Sequence, residues 1–159
     1  MDEFEDWLRR DYGTAYRTAC LVLRNPHDAE DAVQEAFLRV WRFRDAVPQG
    51  DARKAWLYRV VVNACTSRIR SEASRTDQTA VDPDVAETTE RAGDVLAALA
   101  DLPAILRVPL VLRCYAGLSE KEIAVAINRR SGTVKRRLYD ARQRLALDPR
   151  LDPNLEAAR

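Results

Sequence analysis

The chain has 159 residues, which suits one medium domain or two very small ones and excludes a large enzyme with separate cofactor and substrate domains. Its 26 basic and 25 acidic residues leave a net charge of only +1, which argues against a uniformly basic nucleic-acid coat protein. The charges are nevertheless sorted along the chain. Two segments are acidic: residues 1–35 hold nine acids and four bases, and residues 71–100 hold seven acids and two bases. The other two segments are basic: residues 36–70 hold two acids and eight bases, and residues 101–159 hold seven acids and twelve bases.

The composition predicts an all-α protein, because 24 Ala, 17 Leu and 23 Arg stand against only 5 Gly. No apolar run approaches the roughly 20 residues that span a bilayer, and the first residues lack the pattern of a secretory signal. We therefore expect a soluble cytoplasmic protein that does not insert into membranes. Cys20, Cys65 and Cys114 form no C-x-x-C pair, so neither a disulfide nor a metal site is predicted, and we expect all three to be buried.

Apolar residues at steps of three and four predict three helices in the first 71 residues. The first covers residues 4–23 and ends at Arg24-Asn25-Pro26, where the proline suits the first turn of the next helix. The second covers about 27–44, and a turn separates it from a third over 52–71. The third helix is apolar over more than half of its circumference, which predicts a position at the centre of a small bundle.

The periodicity fails over residues 72–90, which are acidic, rich in small residues and interrupted by Pro83. Such a segment does not bury enough apolar surface to offset the entropy of ordering, so we expect a flexible linker. The linker separates a domain at 1–71 from a second at 91–147. We expect the tail, 148–159, to be a mobile terminus.

The second domain carries a helix-turn-helix pattern. Pro109 interrupts its first apolar run and is expected to kink that helix or limit it to a first turn. Ser119 and Glu122 then have capping-box spacing, which starts a helix over about 120–127. A turn follows at 128–131, and a longer helix runs from Gly132 or Thr133 to Leu147. Residues 128–145 hold seven bases and one acid, which together with this spacing indicates DNA binding.

Two polar faces in the first domain are open to two interpretations. On the second helix, Leu38 points outward among acidic and polar residues, as either an ordinary exposed leucine or the apolar knob of a docking surface. On the third helix, Arg59, Asn63, Thr66 and Arg70 are spaced by four, three and four residues. Such a face is either an ordinary solvent stripe or a set of donors for phosphates and base edges.

Several runs of this sequence resemble the extracytoplasmic-function sigma factors of bacterial RNA polymerase. They are D-A-E-D-A-V-Q-E-A-F-L-R over 28–39, A-W-L-Y-R-V-V-V-N over 55–63, L-P at 102–103 with Arg107, G-L-S at 117–119, E-I-A over 122–124, G-T-V-K over 132–135 and A-R at 141–142. The resemblance covers residues 4–147 in order. It implies an all-α fold with two domains, region 2 and region 4, joined by the acidic linker.

The resemblance implies a role for each domain. Region 2 would dock on core RNA polymerase through the second helix, at Asp28, Asp31, Gln34, Glu35, Phe37 and Leu38. It would bind the minus-10 element through the third helix, at Trp56, Arg59, Asn63, Thr66 and Arg70. Region 4 would bind the minus-35 element through Arg129, Arg130, Ser131, Thr133, Lys135, Arg136, Arg137, Tyr139, Asp140 and Arg142.

Within region 4, Lys135, Arg136, Tyr139 and Asp140 match the positions that face the major groove, and the remaining arginines match phosphate contacts. Asn128 stands where the family often has Gly, Arg136 where Ser is usual and Asp140 where Arg is usual. An acid in the groove accepts a hydrogen bond from cytosine N4, so we expect an unusual minus-35 sequence.

The resemblance also implies promoter DNA and core RNA polymerase as partners and an anti-sigma factor as regulator. No cofactor, small-molecule substrate or catalytic residue is expected, and the free chain is expected to be a monomer. His27 is the only histidine and has no nucleophile partner at motif spacing, so an enzyme is disfavoured. There are two alternatives. One is a helix-turn-helix transcription regulator of the LuxR type with a helical N-terminal interaction domain, and the other is an interaction protein that occupies polymerase without opening promoters.

Overall fold

The computed structural model describes residues 2–72 and 90–152, and all regular elements in these ranges are helical. The prediction of an all-α fold is therefore confirmed for this part of the chain. The predicted linker lies almost wholly outside it, at 73–89. The α-helices are α1 Glu3–Leu23, α2 Pro26–Arg42, α3 Ala52–Glu72, α4 Glu90–Asp101, α5 Ala104–Cys114, α6 Glu120–Ile127 and α7 Ser131–Ala146, with short 3₁₀ turns at Arg44–Ala46 and Pro149–Leu151.

The boundary between α1 and α2 follows from local chemistry. Arg24 ends α1 in the left-handed conformation, with φ 59°, and its N–H donates to the carbonyl of Cys20. The side chain of Asn25 then accepts hydrogen bonds from the N–H groups of His27 and Asp28, at 3.0 and 3.1 Å. Since Pro26 has no N–H and fits the first helical position, the chain begins α2 there.

Helix α3 lies at the centre, as its wide apolar surface predicts. Leu57, Val61 and Cys65 are buried. Helices α1 and α2 pack on one side of α3, and α6 packs on another. The apolar circumference is wide because α3 is covered by helices from both ends of the chain, and not by the front helices alone.

Helix α5 runs through Pro109, which is buried, and continues to Cys114. The proline therefore does not limit this helix to a first turn, although it has no N–H to donate to the carbonyl of Ile105 four residues earlier. The buried residues around it hold the helix in place. Cys114 is exposed, so the expectation that all three cysteines are buried is wrong at this position. The residue ends α5, where the helix leaves the core.

The two halves of the chain, residues 2–72 and 90–152, share one hydrophobic core. We call them the front half and the back half. Buried side chains from α1, α2 and α3 and from α5, α6 and α7 belong to the same cluster. Besides the contact of α6 with α3, α1 packs against α4 and α5. The sequence predicted a flexible linker between two separate domains, so this packing of one half on the other was not predicted.

The beginning of the tail is docked. Arg150 lies in the 3₁₀ turn after α7 and donates to the carboxylates of Asp101 and Asp148, at 2.8 and 2.6 Å. The hydrogen bond to Asp101 ties the turn to the end of α4, whereas the bond to Asp148 lies within the tail. The expected mobile terminus is therefore wrong for residues 148–152, because this turn packs against α4, while 153–159 lie outside the described residues.

Candidate functional site

The exposed face of α2 carries the residues that the sequence assigns to docking. Asp31, Gln34, Glu35 and Leu38 are exposed, and Leu38 is 70% accessible. Asp28 is half-buried at the first turn of the helix. The buried stripe on the opposite side holds α2 against the bundle and so turns these side chains outward; it consists of Ala29, Ala32, Val33, Ala36 and Val40.

Phe37 has a different position from its neighbours. It is half-buried, and its ring packs edge-on against Tyr12 of α1, with 5.1 Å between the ring centroids and 75° between the planes. Phe37 therefore supports the surface from beneath, whereas Leu38 projects from it.

Two aromatic residues lie beside Leu38 that the sequence analysis did not assign to the docking surface. Trp41 and Phe43 are 41% and 53% exposed. Together with Leu38, Trp41 lines a shallow apolar groove of about 390 Å³; we call the groove the docking patch, and its residues are Tyr12, Gln34, Phe37, Leu38 and Trp41. The three-residue step from Leu38 to Trp41 places both on one side of a helix, which is the sequence signal that was available.

Polar contacts hold the rim of the docking patch. Glu35 pairs with Arg68 of α3, with 3.1 Å between Oε2 and Nη1. Gln34 donates to the carboxylate of Glu30 at 3.2 Å, one turn earlier on the same helix. His27 lies 4.0 Å from Asp31 and is exposed, as expected for a surface residue at a helix start. These contacts place acidic and amide groups around an apolar centre.

The polar face of α3 lies partly in the open and partly in a cleft. Arg59, Asn63 and Arg70 are exposed, whereas Thr66 is half-buried. Trp56 is also half-buried and packs against the core, so it contributes to packing. We call Arg59, Asn63, Thr66 and Arg70 the strand face.

The turn between α6 and α7 is fixed by its ends. Ser119 and Glu122 form the predicted capping box: each side chain accepts from the other's backbone N–H, at 3.2 and 3.0 Å. At the other end of α6, Asn128 adopts φ 53°, a left-handed conformation that asparagine tolerates. The N–H of Arg129 then bonds to the carbonyl of Ala124 at 3.0 Å. This geometry sets the direction in which α7 leaves the turn.

The outer side of α7 is basic. Val134, Leu138 and Ala141 are buried, so the helix presents the opposite side to solvent. Tyr139 is 62% exposed. Lys135 lies 3.9 Å from Glu120 of α6. We call the exposed residues on this side the groove face; they are Lys135, Arg136, Tyr139, Arg142 and Gln143.

The other residues that the sequence assigns to minus-35 binding lie at the turn before α7 or at the side of the groove face. Arg129, Arg130 and Thr133 surround a shallow pocket at the turn, and Ser131 is the first residue of α7. Asp140 is half-buried and faces the start of α5, beside Pro103 and Arg144. It therefore flanks the groove face and does not lie at its centre.

The structure brings two predicted sites together in one cleft. The cleft has a volume of about 450 Å³ and lies between α3, α5 and the turn before α7. Asn63, Thr66 and Arg70 of the strand face line it, and so do Arg129 and Arg137 of the back half. Three arginines, Arg70, Arg129 and Arg137, thus border a cleft whose apolar lining includes Val62, Ile69, Ile105, Val108 and Ile127.

Within the described ranges, no three His, Cys, Asp or Glu side chains are grouped as a metal site would require. In the same ranges, no helix combines the length and apolarity needed to cross a bilayer.

Comparison with known proteins matches both halves. The model of Sigma-70 region 2 matches residues 4–75, and that of Sigma-70 region 4 matches residues 92–145. The chain is 34% identical over 149 residues to the ECF RNA polymerase sigma factor SigM of Mycobacterium tuberculosis, covering 90% of this chain and 75% of that protein. It is 31% identical over 159 residues to the ECF RNA polymerase sigma-E factor of Escherichia coli, covering 87% and 82%.

Two solved structures share the fold. The sigma factor RpoE of Bartonella quintana, in complex with the anti-sigma factor NepR, superposes with a TM-score of 0.79 at 25% identity, over 93% of this chain and 99% of that one. CnrH, in complex with the cytosolic domain of CnrY, superposes with a TM-score of 0.66 at 21% identity, over 90% and 84%, a likeness that concerns the fold alone.

Proposed function

Because this chain belongs to the extracytoplasmic-function sigma factors of RNA polymerase, we propose that it binds core polymerase, recognises the minus-10 and minus-35 elements of its promoters and initiates transcription. The observation that carries this proposal is the match of both sigma regions, in order, on one chain that aligns with most of each relative. A regulator of the LuxR type, with the front half as a helical interaction domain, accounts for the helix-turn-helix but not for the match of the front half to Sigma-70 region 2.

The domain at 1–71, which the front half represents, acts as region 2, and its docking patch receives the polymerase. An apolar centre with a polar rim is the usual composition of a protein interface, and aromatic residues supply much of the binding energy in such centres. Leu38 and Trp41 provide the centre, and Asp31 and Glu35 provide the rim. Phe37 holds the helix in place from below.

The strand face binds the minus-10 element once it is unpaired. Promoter opening involves no covalent chemistry, so no catalytic residue is required. The protein binds the unstacked strand and offsets about a few kcal/mol of unstacking for each extruded base. Arg59 and Arg70 supply positive charge for phosphates, and the amide of Asn63 both donates and accepts hydrogen bonds at base edges.

The domain at 91–147, which lies within the back half, acts as region 4, and α7 enters the major groove at the minus-35 element. Arg136 and Lys135 lie on the outer side of α7, where donors reach guanine O6 and N7. The first N–H groups of α7, from Ser131 to Thr133, lie at the positive end of the helix dipole and suit a phosphate. Arg129 and Arg130 flank that end and position the helix without recognising sequence.

Core RNA polymerase and promoter DNA are the partners of this chain. It acts in the cytoplasm as an initiation factor and is not an enzyme. An anti-sigma factor regulates it, as suggested by the similar sigma factor RpoE, whose structure is a complex with the anti-sigma factor NepR. The acidic rim of α2 and the basic groups of α7 are the surfaces that such a regulator covers.

Run-off transcription tests the proposal. Purified core polymerase is given the chain and a library of promoter fragments, and the transcripts are sequenced. We expect transcripts from a restricted set of fragments that share two spaced elements. An absence of specific transcripts contradicts the proposal. Binding of the free chain to duplex DNA as a dimer, with no effect on core polymerase, favours a LuxR-type regulator.

The docking patch is tested in the same assay with Leu38→Ala, matched against Leu147→Ala. Both leucines are highly exposed, at 70% and 82%, and Leu147 lies at the end of α7, outside the docking patch. We expect Leu38→Ala to reduce transcription and core binding by roughly 5- to 30-fold, because a central apolar anchor contributes about 1–2 kcal/mol. Equal activity of the two variants contradicts this assignment.

A further inference from the structure

The cleft between α3, α5 and the turn before α7, here called the arginine cleft, has an aliphatic lining. Val62 and Val108 in this lining are buried, and Ile69 and Ile127 are half-buried. Ile105 also lines the cleft and is 60% exposed. The arginine cleft therefore offers apolar surface that a ligand can cover.

The rim of the arginine cleft is basic. Arg70 comes from the end of α3, Arg129 from the turn, and Arg137 from the second turn of α7. Nη1 of Arg129 donates to the carbonyl oxygen of Asn128 at 2.9 Å, which engages only one of the N–H donors of its guanidinium. Among the described residues that line the cleft, none is acidic. The charges around the cleft therefore favour an anion.

The beginning of α5 adds to this positive field. Ala104 and Ile105 are the first two residues of α5, and both line the cleft. Pro103, at the N-cap position, provides no side-chain hydrogen bond to the helix. The first N–H groups of a helix have no partner within it and lie at the positive end of its dipole. The helix end is thus a second source of attraction for an anion, in addition to the three arginines.

The lining and the rim indicate the chemical class of the ligand. The volume of about 450 Å³ lies within the range of small-molecule sites. No aromatic side chain is among the described residues that line the cleft, so a nucleotide base would find no ring on which to stack. Isoleucine and valine side chains suit an alkyl chain, and a guanidinium binds a carboxylate through two parallel hydrogen bonds.

We propose that the arginine cleft binds a single-chain anionic amphiphile, an alkyl carboxylate of medium length such as a medium-chain fatty acid. Its carboxylate lies against Arg70, Arg129 and Arg137, and its alkyl chain covers Ile69 and Ile105. The site is separate from the promoter and polymerase contacts of the proposed function, and its binding is measured on the free chain.

Isothermal titration of the full chain with decanoate, at concentrations too low for micelles, tests the ligand class. We expect one molecule to bind per chain. From hexanoate to decanoate, each added methylene should lower the dissociation constant about fourfold, because burial of a methylene contributes about 0.8 kcal/mol. Decanol, which has the same chain without the charge, should bind at least tenfold more weakly than decanoate. Equal affinities of decanol and decanoate, or affinities that do not depend on chain length, overturn the proposal.

Variants locate the site. Arg137→Gln and Arg70→Gln each remove one guanidinium from the rim, and Arg70 is exposed, so its replacement leaves the core intact. The matched control is Arg17→Gln, at an exposed arginine of α1 that does not line the cleft. We expect the two rim variants to bind decanoate roughly tenfold or more weakly and the control to bind it as the wild type does. Equal affinities of the control and both rim variants overturn the location.

Two further probes separate the free amphiphile from other anions. In sedimentation with vesicles of phosphatidylglycerol, we expect the chain to stay in the supernatant, because a cleft of this size holds one alkyl chain and not a membrane surface. Sedimentation that Arg137→Gln abolishes would assign the cleft to a lipid headgroup and overturn the proposal. In titration with ATP, we expect no binding at the concentrations at which decanoate saturates the chain. Binding of ATP that depends on Arg137, with none of decanoate, would show a nucleotide site and likewise overturn it.

Discussion

Arg68 of α3 pairs with Glu35 of α2 across 3.1 Å, so the helix assigned to the minus-10 strand is tied to the helix assigned to polymerase docking. The pair is partly exposed, with Glu35 half accessible. Pairs of this kind contribute about 0.2–1 kcal/mol to stability. The contact matters chiefly for the relative orientation of the two helices.

Substitution of each partner separates the structural role of this pair from docking. We expect Glu35→Ala to weaken core polymerase binding more than Arg68→Ala does. Glu35 lies on the rim of the docking patch, whereas Arg68 lies outside the docking patch. The free energy of unfolding should fall by less than about 1 kcal/mol in both variants. Binding is measured by fluorescence anisotropy with labelled chain, and unfolding by urea titration. Equal losses of binding would show that Glu35 acts only through its pair with Arg68, which orients α2 against α3, and not through a contact with polymerase.

The two kinds of contact in region 4 respond differently to salt and sequence. We expect Arg136→Ala to change which bases are preferred in the minus-35 element, since Arg136 is on the groove face. Arg129→Ala should weaken binding about equally for all sequences and reduce the salt slope by about 1, since it meets a phosphate. Affinities of the holoenzyme for a set of minus-35 variants at several salt concentrations measure both effects. A change of base preference in Arg129→Ala would contradict the assignment of Arg129 to a phosphate contact.

The turn between α6 and α7 depends on the left-handed conformation of Asn128, with φ 53°. A β-branched residue tolerates this conformation poorly, so Asn128→Val should lower the free energy of unfolding by about 1–2 kcal/mol. Asn128→Gly should leave it nearly unchanged or raise it slightly. Urea titration of the three proteins provides the comparison. Similar stabilities of the Val and Gly variants would mean that the turn relaxes to another geometry.

The three cysteines differ in environment, and thiol reactivity should separate them. Burial raises the pKa of Cys65 to about 12, so its thiol stays protonated at pH 8, and Cys20 is buried as well. Cys114 is exposed. A thiol-specific chromogenic reagent at pH 8 should therefore modify one cysteine rapidly in the native chain and three after denaturation. Cys114→Ser should abolish the rapid reaction, and a rapid reaction that persists in this variant would contradict the burial of the other two.

Local signals allowed the sequence to predict most of the helix boundaries. Asn25 with Pro26, and Ser119 with Glu122, are short patterns whose hydrogen bonds form within a few residues. They need no information from the rest of the chain. The outward direction of Leu38 followed in the same way from the period of α2.

Contacts between residues far apart in the chain left much weaker signals in the sequence than these local patterns did. Arg107 bonds to Val22, 85 residues earlier, and nothing in the periodicity of either segment indicates that partner. The exposure of Trp41 and Phe43 also depends on where α2 ends against α1. In the sequence of the front half, the wide apolar surface of α3 was the one sign that the back half packs there. That surface is equally consistent with a smaller bundle.

Footprinting of the holoenzyme on one promoter tests whether a single chain supplies both promoter contacts. Protection of the minus-35 duplex from a nuclease and reactivity of unpaired minus-10 thymines with permanganate are measured in the same complex. We expect Asn63→Ala to lower permanganate reactivity while minus-35 protection persists, and Arg136→Ala to weaken the protection at minus-35. Loss of both signals together in each variant, with core binding intact, or of neither signal in either, would contradict it.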